Sequence, residues 1–300
     1  MVYTRSMAEE AKQINKNALI RKEVEGREIS QRPQSRLTQR ARNRHAKREQ
    51  RVVGHIAPDT KPLEPGLILY KRMGRKVIRY GDIAIKYNVD MTPSEAIAMK
   101  FIRDHTSIPV PRVHQTTSTS ITMDYIEGDC LSDIWNALPT ATKAGIKSQL
   151  QEYLTELRAI EGEYIGLFNN EPVKDVRKDC AIGGPFDSEL GFNRFLLSNV
   201  TKSCPAAIRH MVSTQLKTNH RIVLTHGDFV PQNIIVKDGK VVGIIDWELA
   251  GWYPEYWDLI MIFRGSRWTL SYFNDVLDFF PGRYDHEYLV DQMLGRISSH

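Results

Sequence analysis

Three short β-like runs, rich in branched aliphatic residues and tyrosine among polar neighbours, occupy residues 67–71, 76–80 and 83–87, and Gly74 and Gly81 fall where turns between these runs belong. Thr92-Pro93-Ser94-Glu95 then reads as a helix start, with Thr92 as cap, Pro93 in the first turn and apolar positions continuing to about His105. Two more strands are predicted at 110–115 and 120–125. After Gly128 the period changes to that of helices, predicted over 131–138, 140–160, 192–200 and 205–218. The second is the strongest, with Ile146, Leu150, Tyr153, Leu154 and Leu157 on one stripe. One β-rich island interrupts the helices at 222–248. Its segments 233–237 and 240–246 are joined by Asp238-Gly239, a strong hairpin signal. The order predicts an α+β fold of two lobes: a small, mostly antiparallel β lobe, then a larger helical one.

Residues 1–55 do not share this patterning. Residues 1–51 hold 14 Lys and Arg against 6 Asp and Glu, so the formal net charge of +5 belongs to this arm and the remainder is weakly acidic. With little to bury, such a segment does not offset its ordering entropy and is expected to be disordered, or helical over 7–24. The cluster Arg40, Arg42, Arg44, Lys47 and Arg48 leaves nucleic-acid contact or nuclear targeting open beside the simpler reading of a solvated tail. The organisation expected is an arm at 1–55, a small lobe with its exit segment at 56–128 and a helical lobe at 129–300. Cys130, Cys180 and Cys204 form neither a disulfide framework nor a zinc motif, which favours a reducing compartment. No apolar run is long enough to span a bilayer and the first residues do not read as a signal peptide, so a cytoplasmic protein without membrane contact is expected, a monomer in the first instance.

The chemistry concentrates in residues 224–248. A β-run ends in His226-Gly227-Asp228, a loop of four residues follows, and Asn233 opens the next strand. Asp246 ends the second strand of that hairpin. Two acids and an amide facing one another suit Mg²⁺, a hard cation that takes a few protein oxygens and shares the rest with phosphates. Individually, Asp228 and Asn233 are also ordinary turn residues, and Lys86 an ordinary strand-end residue. Glu248 either faces the same site or caps the following segment.

His226-Gly227-Asp228-x-x-x-x-Asn233 and Ile245-Asp246-Trp247 resemble the catalytic loop and metal motif of the aminoglycoside phosphotransferase and choline kinase family, the counterparts of H-R-D-x-x-x-x-N and D-F-G in protein kinases. The longer run from Ile244 to Trp257, with residues 107–113 and 124–128, is similar to the branch of that family common in fungi. The resemblance spans roughly residues 66–265. It implies a protein kinase-like fold and an ATP- and Mg²⁺-dependent transfer of phosphate to a hydroxyl of a small molecule. By the same resemblance, Asp228 orients and deprotonates the acceptor, and Asn233 and Asp246 hold Mg²⁺. Lys86 contacts the α- and β-phosphates, with Glu95 as its partner. Met123 to Gly128 form the hinge, where the backbone of Asp124 and Ile126 bonds adenine, and Asp258 braces the catalytic loop. His226 is expected to bond the loop backbone rather than act as a base, and Trp252, Tyr253, Tyr256 and Trp257 to form core beneath it. The chain departs from the pattern in one respect: no G-x-G-x-x-G precedes Lys86. That absence leaves a nucleotide-binding or scaffolding module without turnover as the alternative.

Overall fold

The computed structural model describes residues 66–72, 74–89, 93–175, 181–264 and 271–298. The arm at 1–55, its helix at 7–24 and the Thr92 cap lie outside the described residues.

The small lobe is a five-stranded antiparallel sheet of β1 (Leu67–Arg72), β2 (Arg75–Tyr80), β3 (Ile83–Tyr87), β4 (Val113–Thr116) and β5 (Ser120–Asp124), ordered β1-β2-β3-β5-β4. Gly74 and Gly81 have φ of 79° and 59°, as the tight turns require. The register sets Val77, Lys86 and Ile121 in one row across three strands, and Arg79, Ala84 and Met123 in the next. Side chains alternate along a strand, so these residues share a face with Arg75. Helix α1 (Ser94–His105) packs Ala98, Met99 and Ile102 into the core and carries the buried Glu95 in its first turn.

The chain leaves β5 through residues 125–128 and enters β6 (Asp129–Cys130), which pairs with the central strand of a second sheet. Helix α2 (Leu131–Ile134) follows, then α3 (Thr140–Ala159), whose Ile146, Leu150, Leu154 and Leu157 are fully buried, as the stripe predicted. The continuous helix expected over 131–138 instead tightens to a 3₁₀ turn at Trp135–Ala137, where Trp135 is buried edge-on against Tyr272 and Leu138 turns extended before Pro139.

Short strands β7 (Gly166–Leu167), β8 (Val173–Asp175) and β9 (Ala181–Gly183) precede helix α4 (Glu189–Ser198). This helix begins three residues earlier than its apolar pattern suggests, because Ser188 Oγ accepts the Gly191 N–H as an N-cap. Helix α5 (Ala206–Ser213) is shorter than the predicted 205–218. At its end the hydroxyls of Ser213 and Thr214 donate to the carbonyls of His210 and Met211, competing with continuation.

Strand β10 (Ile222–Thr225) pairs with β13 (Gly251–Pro254), and β11 (Ile234–Lys237) with β12 (Lys240–Ile244) through a turn in which Asp238 and Gly239 have φ of 51° and 73°. Helices α6 (Trp257–Arg264), α7 (Tyr272–Phe279) and α8 (Asp285–Ser298) complete the lobe. One apolar cluster joins α3, the loop residue Phe229 and Trp247 to the underside of the small sheet. A second surrounds Phe192, Tyr253 and Trp257. No described helix is long and apolar enough to cross a membrane.

Candidate active site

The loop between β10 and β11 is fixed by its own backbone. Asp258, fully buried at the start of α6, accepts the N–H of Gly227 at 2.8 Å and of His226 at 3.2 Å. Gly227 has φ 79°, and a Cβ there would stand 2.4 Å from the Leu249 carbonyl oxygen, so glycine alone fits. The His226 ring lies between two backbone partners. Its Nδ1 accepts the Asp228 N–H at 3.1 Å, so its Nε2–H donates to the Ile245 carbonyl, also at 3.1 Å. Complete burial pushes the imidazole down to about 4 and keeps it neutral. This histidine therefore ties the Asp228 loop to the segment carrying Asp246.

Asn233 donates through Nδ2 to the Asp228 backbone oxygen at 2.9 Å and to Asp228 Oδ2 at 3.0 Å, which leaves Oδ1 as the acceptor end of the amide. Burial, with the negative charge of Asp246, raises the Asp228 carboxyl to about 6, against the opposing hydrogen bond from Asn233.

The facing wall comes from the small lobe. Lys86 Nζ lies 2.8 Å from Glu95 Oε1, 2.5 Å from Asp246 Oδ1 and 3.7 Å from Glu248 Oε2. Burial opposes its charge, but Glu95, Asp246 and Glu248 outweigh that and hold the ammonium above its ordinary range. Burial likewise raises the Glu95 carboxyl, with Lys86 opposing. Asp246 sits at φ 65°, a left-handed conformation that Asp tolerates better than most residues. It sends the carboxylates of Asp246 and Glu248 toward Lys86 while Trp247 is wholly buried.

Lys86, Glu95, Asp228, Asn233 and Asp246, far apart in sequence, thus form two linked clusters across one cleft. Oxygens of Glu95, Asp246 and Glu248 lie within 4.8 Å of one another. Carboxylate oxygens are the donors a hard divalent cation takes, and Asp246 is accessible enough to offer one.

Among the hinge residues, Met123 is buried and pairs with Ala84. The Asp124 side chain accepts from the Arg112 N–H and meets His114 Nε2 at 2.6 Å. Ile126 lies against β12, where a Cβ on Gly243 would come within 2.8 Å of it. The aromatic run is core as expected, apart from a half-buried Trp252. Two further residues join the site, neither of them assigned a role by the sequence alone. Glu248 had a signal, its place two residues after Asp246. Arg75, whose Nη1 lies 2.7 Å from Glu248 Oε1, had none.

The sequence profile described as "Phosphotransferase enzyme family" matches residues 70–296. A curated relative, an aminoglycoside 3'-phosphotransferase of Enterococcus faecalis, is 30% identical over 132 residues, 40% of this chain and 47% of that protein. The match thus spans about half the relative's length. Among solved structures, the streptomycin–ATP–APH(2")-IIa ternary complex superposes with a TM-score of 0.53 at 13% identity, covering 88% of this chain and 87% of that one. Aminoglycoside phosphotransferase APH(4)-Ia gives 0.54 at 15% identity, covering 78% and 83%. At such identities the likeness concerns the fold, which is the two-lobed kinase-like one.

Proposed function

The chain belongs to the phosphotransferase enzyme family, and from that premise we propose that it transfers the γ-phosphate of ATP to a hydroxyl of a small molecule. The observation that carries this reading is Asp228, held by Asn233 at 3.0 Å on a loop locked by Asp258, across the cleft from Asp246 and Lys86. Asp228 orients the acceptor hydroxyl and takes its proton as the oxygen bonds to phosphorus and the bond to ADP breaks. Asn233 and Asp246 would hold Mg²⁺, which when bound supplies charge neutralisation at the phosphates. Lys86, fixed by Glu95, meets the α- and β-phosphates. The backbone of Asp124 and Ile126, behind Met123, takes the adenine. Chemistry of this kind is mostly positioning and electrostatics, and the loop geometry supports both. The corresponding cellular reading is a cytoplasmic monomer, and Cys130 and Cys204 are free thiols.

The test incubates the full chain with ATP, Mg²⁺ and a panel of aminoglycosides and other small alcohols. ADP is measured, and products are weighed for the gain of one phosphoryl group. A phosphorylated small molecule supports the proposal. ATP binding without turnover on any acceptor favours the non-catalytic alternative.

A further inference from the structure

Kinase-like folds that carry a glycine-rich loop between their first two strands surround the phosphates with its backbone N–H groups. Between β1 and β2, the first two strands among the described residues, there is no room for such a loop. Arg72 of β1 pairs directly with Arg75 of β2, so only two positions of the chain separate the strands. A two-residue turn offers too few N–H groups to wrap an anion.

Arg75 follows that turn. It lies on the same sheet face as Lys86, because Lys86 is paired with Val77 and Arg75 is two positions along the strand. Its guanidinium reaches across the cleft to Glu248 at 2.7 Å, yet the side chain remains 41% exposed. That bond occupies one of five N–H donors, and the planar fork of the rest matches phosphate oxygens. An oxygen of Glu248 lies within 4.8 Å of one of Asp246, so the Glu248 bond brings the guanidinium near the acid expected to hold the metal. Two cations, Lys86 and Arg75, thus flank Val77 on the roof of the cleft, and Glu248 touches both.

We propose that Arg75 is the phosphate-binding residue that replaces the glycine-rich loop in this chain, with Glu248 holding its guanidinium over the nucleotide's phosphates. This rests on the phosphotransferase reading above. Arg75 then recognises the charge of the polyphosphate and contributes nothing to recognition of the base.

Titration calorimetry of the full chain with Mg²⁺ and ATP, ADP or adenosine tests the proposal on wild type, Arg75→Ala and Arg75→Lys. Arg75→Ala is expected to weaken ATP by about tenfold or more, the loss of a charge-assisted bond, and adenosine by less than about twofold. Arg75→Lys should lie between, since it keeps the charge and loses the fork. Both ligands are measured on one preparation, so the ratio of their affinities remains decisive even where the variant is less stable. Unchanged ATP affinity in Arg75→Ala, or equal losses for ATP and adenosine, overturns the assignment. Wild-type protein that binds neither ligand overturns the phosphotransferase reading itself, an outcome distinct from failure of the Arg75 assignment.

Discussion

Replacing Asp258 with Ala removes the acceptor of two buried N–H groups, those of His226 and Gly227. Each buried donor left without a partner costs about 1–3 kcal/mol, so the loss is roughly 2–6 kcal/mol. Part is recovered, because burial already disfavours the carboxylate and pushes it up to about 6. For a folded body of this size each kcal/mol shifts Tm by about 2–4 °C, so Asp258→Ala should melt roughly 5–20 °C below wild type. Asp258→Asn keeps one oxygen acceptor and should fall between. The catalytic consequence follows from the same bonds. His226-Gly227-Asp228 would no longer be pinned, whereas Lys86 and Asp246 are held from elsewhere. The fall should therefore appear in kcat far more than in KM for ATP. Thermal unfolding followed by circular dichroism, with steady-state kinetics below the melting range, makes both measurements. An Asp258→Ala protein that melts within a degree of wild type and keeps its kcat would refute the bracing role.

Asp246→Ala should abolish the Mg²⁺-dependent part of ATP binding, read by calorimetry with and without the metal; unchanged affinity with Mg²⁺ present would make Asp246 structural. The rate should depend on an ionised Asp228, so kcat/KM should fall as pH drops through about 6 and level off above it; a profile flat down to pH 5 contradicts the base assignment. His226 is neutral in the fold at about 4 and ordinarily titrates near 6.5, so the unfolded chain binds the extra proton between those values. Its contribution to stability is complete above about 6.5 and drains as pH falls toward 4, by a few kcal/mol at most. Urea midpoints at pH 7 and pH 5 should separate wild type from His226→Asn, and equal pH slopes in the two would dismiss this linkage.

The clearest parts of the site in sequence were those whose chemistry is local. His226, Asp228 and Asn233 sit within eight residues, and Asp238-Gly239 dictates the hairpin that delivers Asp246 beside them. Lys86 and Glu95 were readable only through the family resemblance, which matches them to a strand lysine and its partner on the next helix, and their side chains do meet at 2.8 Å. Arg75 was not, because its partner Glu248 lies 173 positions away and an Arg after a turn is ordinarily solvated. The strands β7, β8, β9 and β13 escaped for a different reason. At two to four residues they carry too few alternations to declare a period; pairing with distant segments makes strands of β7 and β13, and pairing with each other makes strands of β8 and β9. Ser188 was a legible cap that the apolar pattern alone passed over.

The most direct test of phosphotransfer through Asp228 compares wild type with Asp228→Asn on one acceptor found by the panel screen, with ATP and Mg²⁺ saturating. Phosphorylated product is counted by mass spectrometry, and ATP affinity is measured in parallel. The expected result is a kcat lower by at least about a hundredfold in Asp228→Asn, with ATP affinity within a few-fold of wild type. Wild-type turnover by Asp228→Asn would contradict the account.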